Sequence, residues 1–157
     1  MISVRKNVFE TNSSSSHSLS ISHNYITVDD LVVEDDAVHT ECGEFGWGVE
    51  EYLNTSTKLS YLITIVAEST IGTTWWDESI FEDFMIKDLY ETDEFQEIKE
   101  VVCSHEQCSD LIVDSLKGYI DHQSKPISMR SFLADYGLSI EEFLYGNVKL
   151  IIDNDNH

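Results

Sequence analysis

Asn54-Thr55-Ser56-Thr57-Lys58-Leu59-Ser60-Tyr61-Leu62-Ile63-Thr64-Ile65-Val66-Ala67-Glu68 sets the class of the fold. Leu59, Leu62, Ile63 and Val66 recur at helical spacing, and Asn54 or Thr55 can cap the start, so the stretch reads as a helix through Glu68. The same period continues downstream. Asp77–Tyr90 places Ile80, Phe81, Phe84 and Leu89 on an apolar side, with Glu78, Glu82 and Asp83 in water. Asp93–Cys103 does so again with Phe95, Ile98 and Val102. Leu111–Ile120 is compatible with either helix or strand. Pro126, the one proline, precedes a helix over Ser128–Tyr136 that Gly137 terminates. Ser139, with Glu142 three residues on, forms a capping-box signature for a short helix through Tyr145.

Toward the two ends the period changes from helical to alternating. From Ser16 onward His17, Leu19 and Ile21 are separated by serines, which is the pattern of a strand. Tyr25–Val28 and Asp30–Val33 read as further short strands, and Val148–Ile152 as a closing one. In Gly43-Glu44-Phe45-Gly46-Trp47-Gly48, three glycines in six positions demand tight turns or close backbone approach. No internal repeat and no linker interrupts the chain. The expectation is one acidic α+β domain over residues 1–157, with short, mostly antiparallel strands from the two ends and a central set of helices.

Composition excludes several function classes. The 157 residues carry 30 acids against 9 bases, a formal charge of −21, with 41% hydrophobic and 11% aromatic residues. That apolar content suffices for a packed core and argues against disorder. Nine scattered bases do not build the positive stripe that direct nucleic-acid binding needs, nor one for an anionic membrane surface. Apolar stretches such as Leu62–Ala67 fall far short of the ~20 residues of a spanning helix. Met1–Lys6 has no apolar segment behind its charges, so no secretory signal is visible. Cys42, Cys103 and Cys108 make an odd count, which fits reduced thiols and a cytoplasmic location, in a cell or an infected host cell.

Arg5-Lys6-Asn7-Val8-Phe9-Glu10-Thr11-Asn12-Ser13-Ser14-Ser15-Ser16-His17-Ser18-Leu19 resembles the opening of a family of uncharacterised phage and Firmicutes-type bacterial proteins. Members of that family begin with an Arg…Val-Phe-Glu-Thr-Asn-Ser-Ser-Ser-Ser/Thr-His-Ser block. Cys42–Gly48, Lys58–Leu62, Ile120–Ser124 and Ile151–Asn156 are similar to it as well, so the resemblance spans most of the chain. It implies a phage or prophage origin; it implies no particular activity.

Four constellations could carry chemistry. Arg5, Glu10, Asn12, Ser13, Ser14, Ser15 and His17, with Glu44, Asp121 and His122, would make a composite polar site. His17, Glu44 and His122 suit a divalent metal of the zinc or manganese type. His17 or His122 would otherwise serve as general base, with Glu10 or Asp121 fixing its tautomer. The serine run with Arg5 and Asn12 would hold an anion such as phosphate. Against this, serine-rich runs are favoured in turns, where their hydroxyls bond the local backbone. This reading requires His17 and His122 to lie close together.

Cys103-Ser104-His105-Glu106-Gln107-Cys108 has ligand-type residues but lacks the second pair of a zinc ribbon, and reads as a turn with two incidental thiols. Trp47, between glycines, and Trp76, beside Asp77, offer an aromatic platform or a piece of core. The acidity is the fourth. Asp77–Glu100 holds ten acids against Lys87 and Lys99. A charge of −21 exceeds the roughly −2 to −8 that solubility needs. Glu78, Glu82, Asp83, Asp93, Glu94 and Glu97, with Trp47 and Trp76, are therefore the candidate contacts for a host protein with a basic, nucleic-acid-binding surface. Such a protein would be modulated or inhibited, by nucleic-acid mimicry if the acids form one contiguous surface. The competing function is a small metal-dependent or histidine-assisted enzyme acting on a nucleotide or phosphate substrate.

Overall fold

A computed structural model describes residues 3–6, 17–23, 26–46, 48–71, 79–120 and 126–154. The central helix, α1 (Thr55–Thr70), is buried continuously from Tyr61 to Ala67 rather than along one stripe. A helix covered on all sides needs neighbours on all sides. It touches α2 (Ser79–Tyr90), α3 (Asp93–Glu106), α4 (Met129–Tyr136) and α5 (Ile140–Tyr145), together with strands β4 (Ala37–Thr40) and β8 (Tyr119–Ile120). Tyr61 anchors an aromatic chain, with edge-on contacts to Phe45 at 5.1 Å and Phe132 at 5.5 Å between ring centroids.

The remaining helices start and stop where local chemistry says they should. Ser128 caps α4 by accepting from Ser131 N, and Gly137, at φ +65°, ends it in the left-handed region. Ser139 and Glu142 form the reciprocal capping box of α5. Asn54 occupies the N-cap position of α1 but makes no side-chain cap bond. Asp30 performs that task from a distant loop. Its carboxylate accepts from Ser56 N at 2.9 Å and Ser56 Oγ at 2.6 Å, and from Asn54 Nδ2 at 3.2 Å.

That role corrects two expected strands. Residues 26–32 do not pair in a sheet; Val28 makes one isolated bridge to Asn54, and Asp29 Oδ1 accepts from Leu31 N. The acids of this loop bond local N–H groups and the start of α1. The strand begins at β3 (Val33–Glu34), which turns through Asp35 and Asp36, at φ 51° and 61°, into β4. A two-residue turn with both φ values positive matches the twist of a hairpin.

Strands from the two ends form one antiparallel sheet in the order β1-β2-β9-β6: β1 (Ser3–Lys6), β2 (His17–His23), β9 (Val148–Asn154) and β6 (Val49–Tyr52). Two smaller sheets lie between. β4 joins β3 to β7 (Asp110–Val113), and β5 (Glu44–Phe45) pairs with β8. Both β4–β7 and β5–β8 are parallel, and β4 to β6 were not expected from the sequence. Leu111–Ile120 resolves into two strands. Gly118 is required between them: a Cβ there would stand 2.6 Å from Gly43 O and 2.8 Å from the Cys42 carbonyl carbon. The result is a single α+β domain with strands from both ends and helices in the centre. No helix among the described residues is long and apolar enough to cross a membrane.

Candidate functional site

Glu97, Glu100, Val101 and Ser104 follow one another at i, i+3, i+4 and i+7 along α3, which puts them on one stripe. Phe95, Ile98 and Val102 hold the other side of the helix in the core. The outward stripe faces the start of α5, where Ser139, Ile140 and Glu141 complete an open groove of about 520 Å³. Half-buried Val101 and Ile140 line its apolar part, and Glu97, Glu100 and Glu141 its acidic part.

Two of these carboxylates already hold a cationic or imidazole partner. Arg130 Nη2 lies 2.9 Å from Glu97 Oε2, with both side chains about half exposed. His105 Nε2 lies 2.8 Å from Glu141 Oε2. The His105 ring stacks on Tyr145, 3.9 Å between centroids and 8° from parallel, which sets the plane in which Nε2 meets Glu141. Tyr145 in turn donates to Glu106 Oε2 at 2.9 Å. Burial, followed by a hydrogen bond with Asp29, raises the Glu106 carboxyl above its ordinary value, while Tyr145 pulls the other way. Glu100 is exposed and makes no ion pair among the described residues. The groove can therefore receive a positive group beside an apolar stem, the two features of a lysine or arginine side chain.

The acids expected at a partner surface divide into two groups. Glu97 lines the groove, and Asp93 and Glu94 occupy the first turn of α3, where the helix dipole favours them. Glu82 instead turns inward: its Oε2 accepts from Leu116 N at 3.0 Å, so this carboxylate satisfies a backbone donor and is not a free surface contact. Asp83 is placed on α2 by its backbone. Glu78, Trp47 and Trp76 lie outside the described residues. Exposed acids also stand on Asp35 and Asp36, on Glu44, on Glu51 and on Asp135 and Glu142. These acids belong to other elements than α2 and α3. The close acid pair Asp93–Glu97 is tolerated because Arg130 neutralises one member.

The described residues of the composite polar site fall on two different sheets. His17 pairs with Asn154, and the neighbouring Asp153 pairs with Val49. Glu44 pairs with Tyr119, two residues before Asp121. Arg5 lies on β1 opposite Ser20. Glu10, Asn12, Ser13, Ser14, Ser15, Asp121 and His122 lie outside the described residues, and with them the expected approach of His17 to His122. Among the described residues no group of three or more metal-type side chains converges.

Two buried polar groups escaped the sequence reading. Lys58 is fully buried. Its Nζ donates to Thr27 Oγ1 at 3.1 Å and Val148 O at 3.2 Å, and lies 5.8 Å from the centroid of the Phe143 ring. Thr27 Oγ1 donates onward to Gly146 O. Burial pushes the Lys58 ammonium down to about 8. Its position beside Leu59 and one turn from Leu62 is the signal, since a lysine there shares the helix's apolar side. Tyr61 is also fully buried, and among the described residues its hydroxyl has no hydrogen-bond partner.

No family model, curated protein or solved structure matches the chain.

Proposed function

We propose that this protein is an acidic binding module whose α3–α5 groove takes lysine or arginine side chains from the basic surface of a partner protein. The observation that carries the reading is how the chain uses its own cations. Lys58 sits in the core; Lys99, Arg130 and Lys149 are paired with Asp110, Glu97 and Glu51. These cations leave most of the excess negative charge uncompensated at the surface, and the Arg130–Glu97 contact supplies an internal example of a guanidinium held at the groove. The partner is a nucleic-acid-binding protein of a host cell, met in the cytoplasm by a phage-encoded chain; the support for that origin is the resemblance of the N-terminal block. The recognition rests on a groove for individual cationic side chains, with Glu97, Glu100 and Glu141 as its carboxylates.

A fluorescent oligolysine peptide tests the groove directly. The combined change Glu97→Gln, Glu100→Gln and Glu141→Gln should weaken binding roughly five- to tenfold at low salt and flatten its salt dependence. A control carrying Glu34→Gln, Glu41→Gln and Asp88→Asn should bind nearly as the parent does. Equal losses in the two variants would refute the groove and leave diffuse charge as the determinant.

A second reading, the small metal-dependent or histidine-assisted enzyme, draws support from the parallel pairing that sets Glu44 beside Tyr119, two residues before Asp121. It predicts activity lost on His17→Ala and His122→Ala, changes that leave groove binding intact.

A further inference from the structure

The end of α3 brings two cysteines together for a purely local reason. Gln107 adopts φ 57°, and the N–H of Cys108 donates back to the carbonyl of Cys103 at 3.2 Å. This is a Schellman ending, in which the residue after the left-handed position folds over the residue five earlier. The side-chain contact that usually accompanies the motif is apolar; here it is thiol on thiol, with the Sγ atoms 3.5 Å apart. Both residues are half-buried, so solvent reaches the pair. Cys42 is buried in the core, whereas the pair is reached by solvent.

From this geometry we infer that Cys103 and Cys108 form a reversible dithiol–disulfide site, oxidised by low-molecular-weight disulfides of the glutathione class. The Sγ atoms have to approach by about 1.5 Å to reach bonding distance, a movement within reach of side-chain rotation. In the first step one cysteine thiolate attacks the small disulfide, forms a mixed disulfide and releases one thiolate. In the second step the other cysteine attacks the protein-bound sulfur, closes the Cys103–Cys108 bond and releases the second thiolate. Two protein thiols and one small disulfide thus become one protein disulfide and two small thiols, with the two protons carried by the products. Burial, then contact with Cys108, pushes the Cys103 thiol up to about 11, which makes Cys103 the slower nucleophile of the pair. Cys108, outside the helix, is the natural first point of attack. The inference does not depend on the proposed binding function.

Equilibration of the full chain with mixtures of oxidised and reduced glutathione, followed by acid quench, maleimide labelling and intact mass, tests it. The oxidised chain should lose two labels and two hydrogens, remain monomeric on a non-reducing gel, and yield a linked peptide joining Cys103 to Cys108. Cys42→Ser should behave as the parent, whereas Cys103→Ser and Cys108→Ser should each stop at a single glutathione adduct. The closure constant in the folded chain should exceed that of the urea-unfolded chain by about tenfold or more, since folding holds the thiols in contact. A folded-chain constant equal to or below the unfolded one, a stable mixed disulfide in the parent, or cross-linking between chains would overturn the inference.

Discussion

Lys58→Met isolates the cost of a charge buried without a carboxylate. The ammonium titrates at about 8 in the folded protein against 10.5 in the free side chain, because burial disfavours its charged form. The sign follows from proton counting. Between these two values the unfolded chain keeps a proton that the folded chain has shed, so stability from this group rises with pH. Below about 8 the penalty is present in full. Linkage gives a gain of about 2 kcal/mol between about pH 7 and about pH 9.5, and roughly 3 kcal/mol over the whole interval. Two thiols act in the opposite direction. Burial holds Cys42 up to about 12 and Cys103 up to about 11, so both ionise first in the unfolded state and erode stability as pH rises. The parent should therefore stay nearly level across the window while Lys58→Met declines, the difference between them being about 2 kcal/mol. Urea unfolding of both proteins at the two pH values provides the measurement. Methionine preserves the stem's volume but leaves Val148 O without its donor, an offset that is independent of pH. Parallel stability curves would refute a charged Lys58 buried at this site.

Three further outcomes follow from other residues. Tyr61→Phe removes a buried hydroxyl that has no partner among the described residues and should raise stability by about 1 kcal/mol, read as an increase in Tm. Ser139→Ala deletes the hydroxyl half of the α5 capping box, the acceptor of Glu142 N, while leaving the backbone N–H that donates to Glu142 Oε1, and should cost about 1 kcal/mol in urea unfolding, with Glu142→Gln costing less. Raising ionic strength from about 0.01 to about 0.5 M should raise the Tm of the free protein, because the Debye length shrinks from about 30 Å to below 10 Å and relieves self-repulsion at −21; the same change should weaken oligolysine binding, and an affinity flat across salt would show that charge is not the determinant.

How much of this was legible depends on whether a feature is local. α5 was readable because Ser139 and Glu142 meet within one turn, and α4 because Ser128 and Gly137 mark its two ends. β4, β5, β7 and β8 are strands of two to four residues whose parallel partners lie far along the chain, so no turn sequence announces them. Residues 26–32 were misread because alternation around Asp29 and Asp30 looks like a strand, whereas Asp30 caps a helix that begins 25 positions later at Thr55. The groove was half legible. Glu97 and Glu100 show their common stripe in their spacing, but Glu141 joins them only through the packing of α5 on α3. Glu82 carried the same surface signature as Glu97, and only the tertiary position of Leu116 N distinguishes the two.

The main sheet also constrains the order of assembly during synthesis. Among the described residues, β2 has β1 on one side and β9 on the other, and β9 is the one sheet partner of β6. Neither β2 nor β6 can be completed until residues 148–154 have been made, although β2 leaves the ribosome more than a hundred residues earlier. The nascent chain therefore carries an open edge on β2 and, once residues 49–52 are made, another on β6 until residues 148–154 follow. Such edges are templates for pairing with other chains, and the nine acids of residues 29–51, a stretch without lysine or arginine, oppose that pairing once they are made. On this view the acidity guards the growing chain before it serves the finished one.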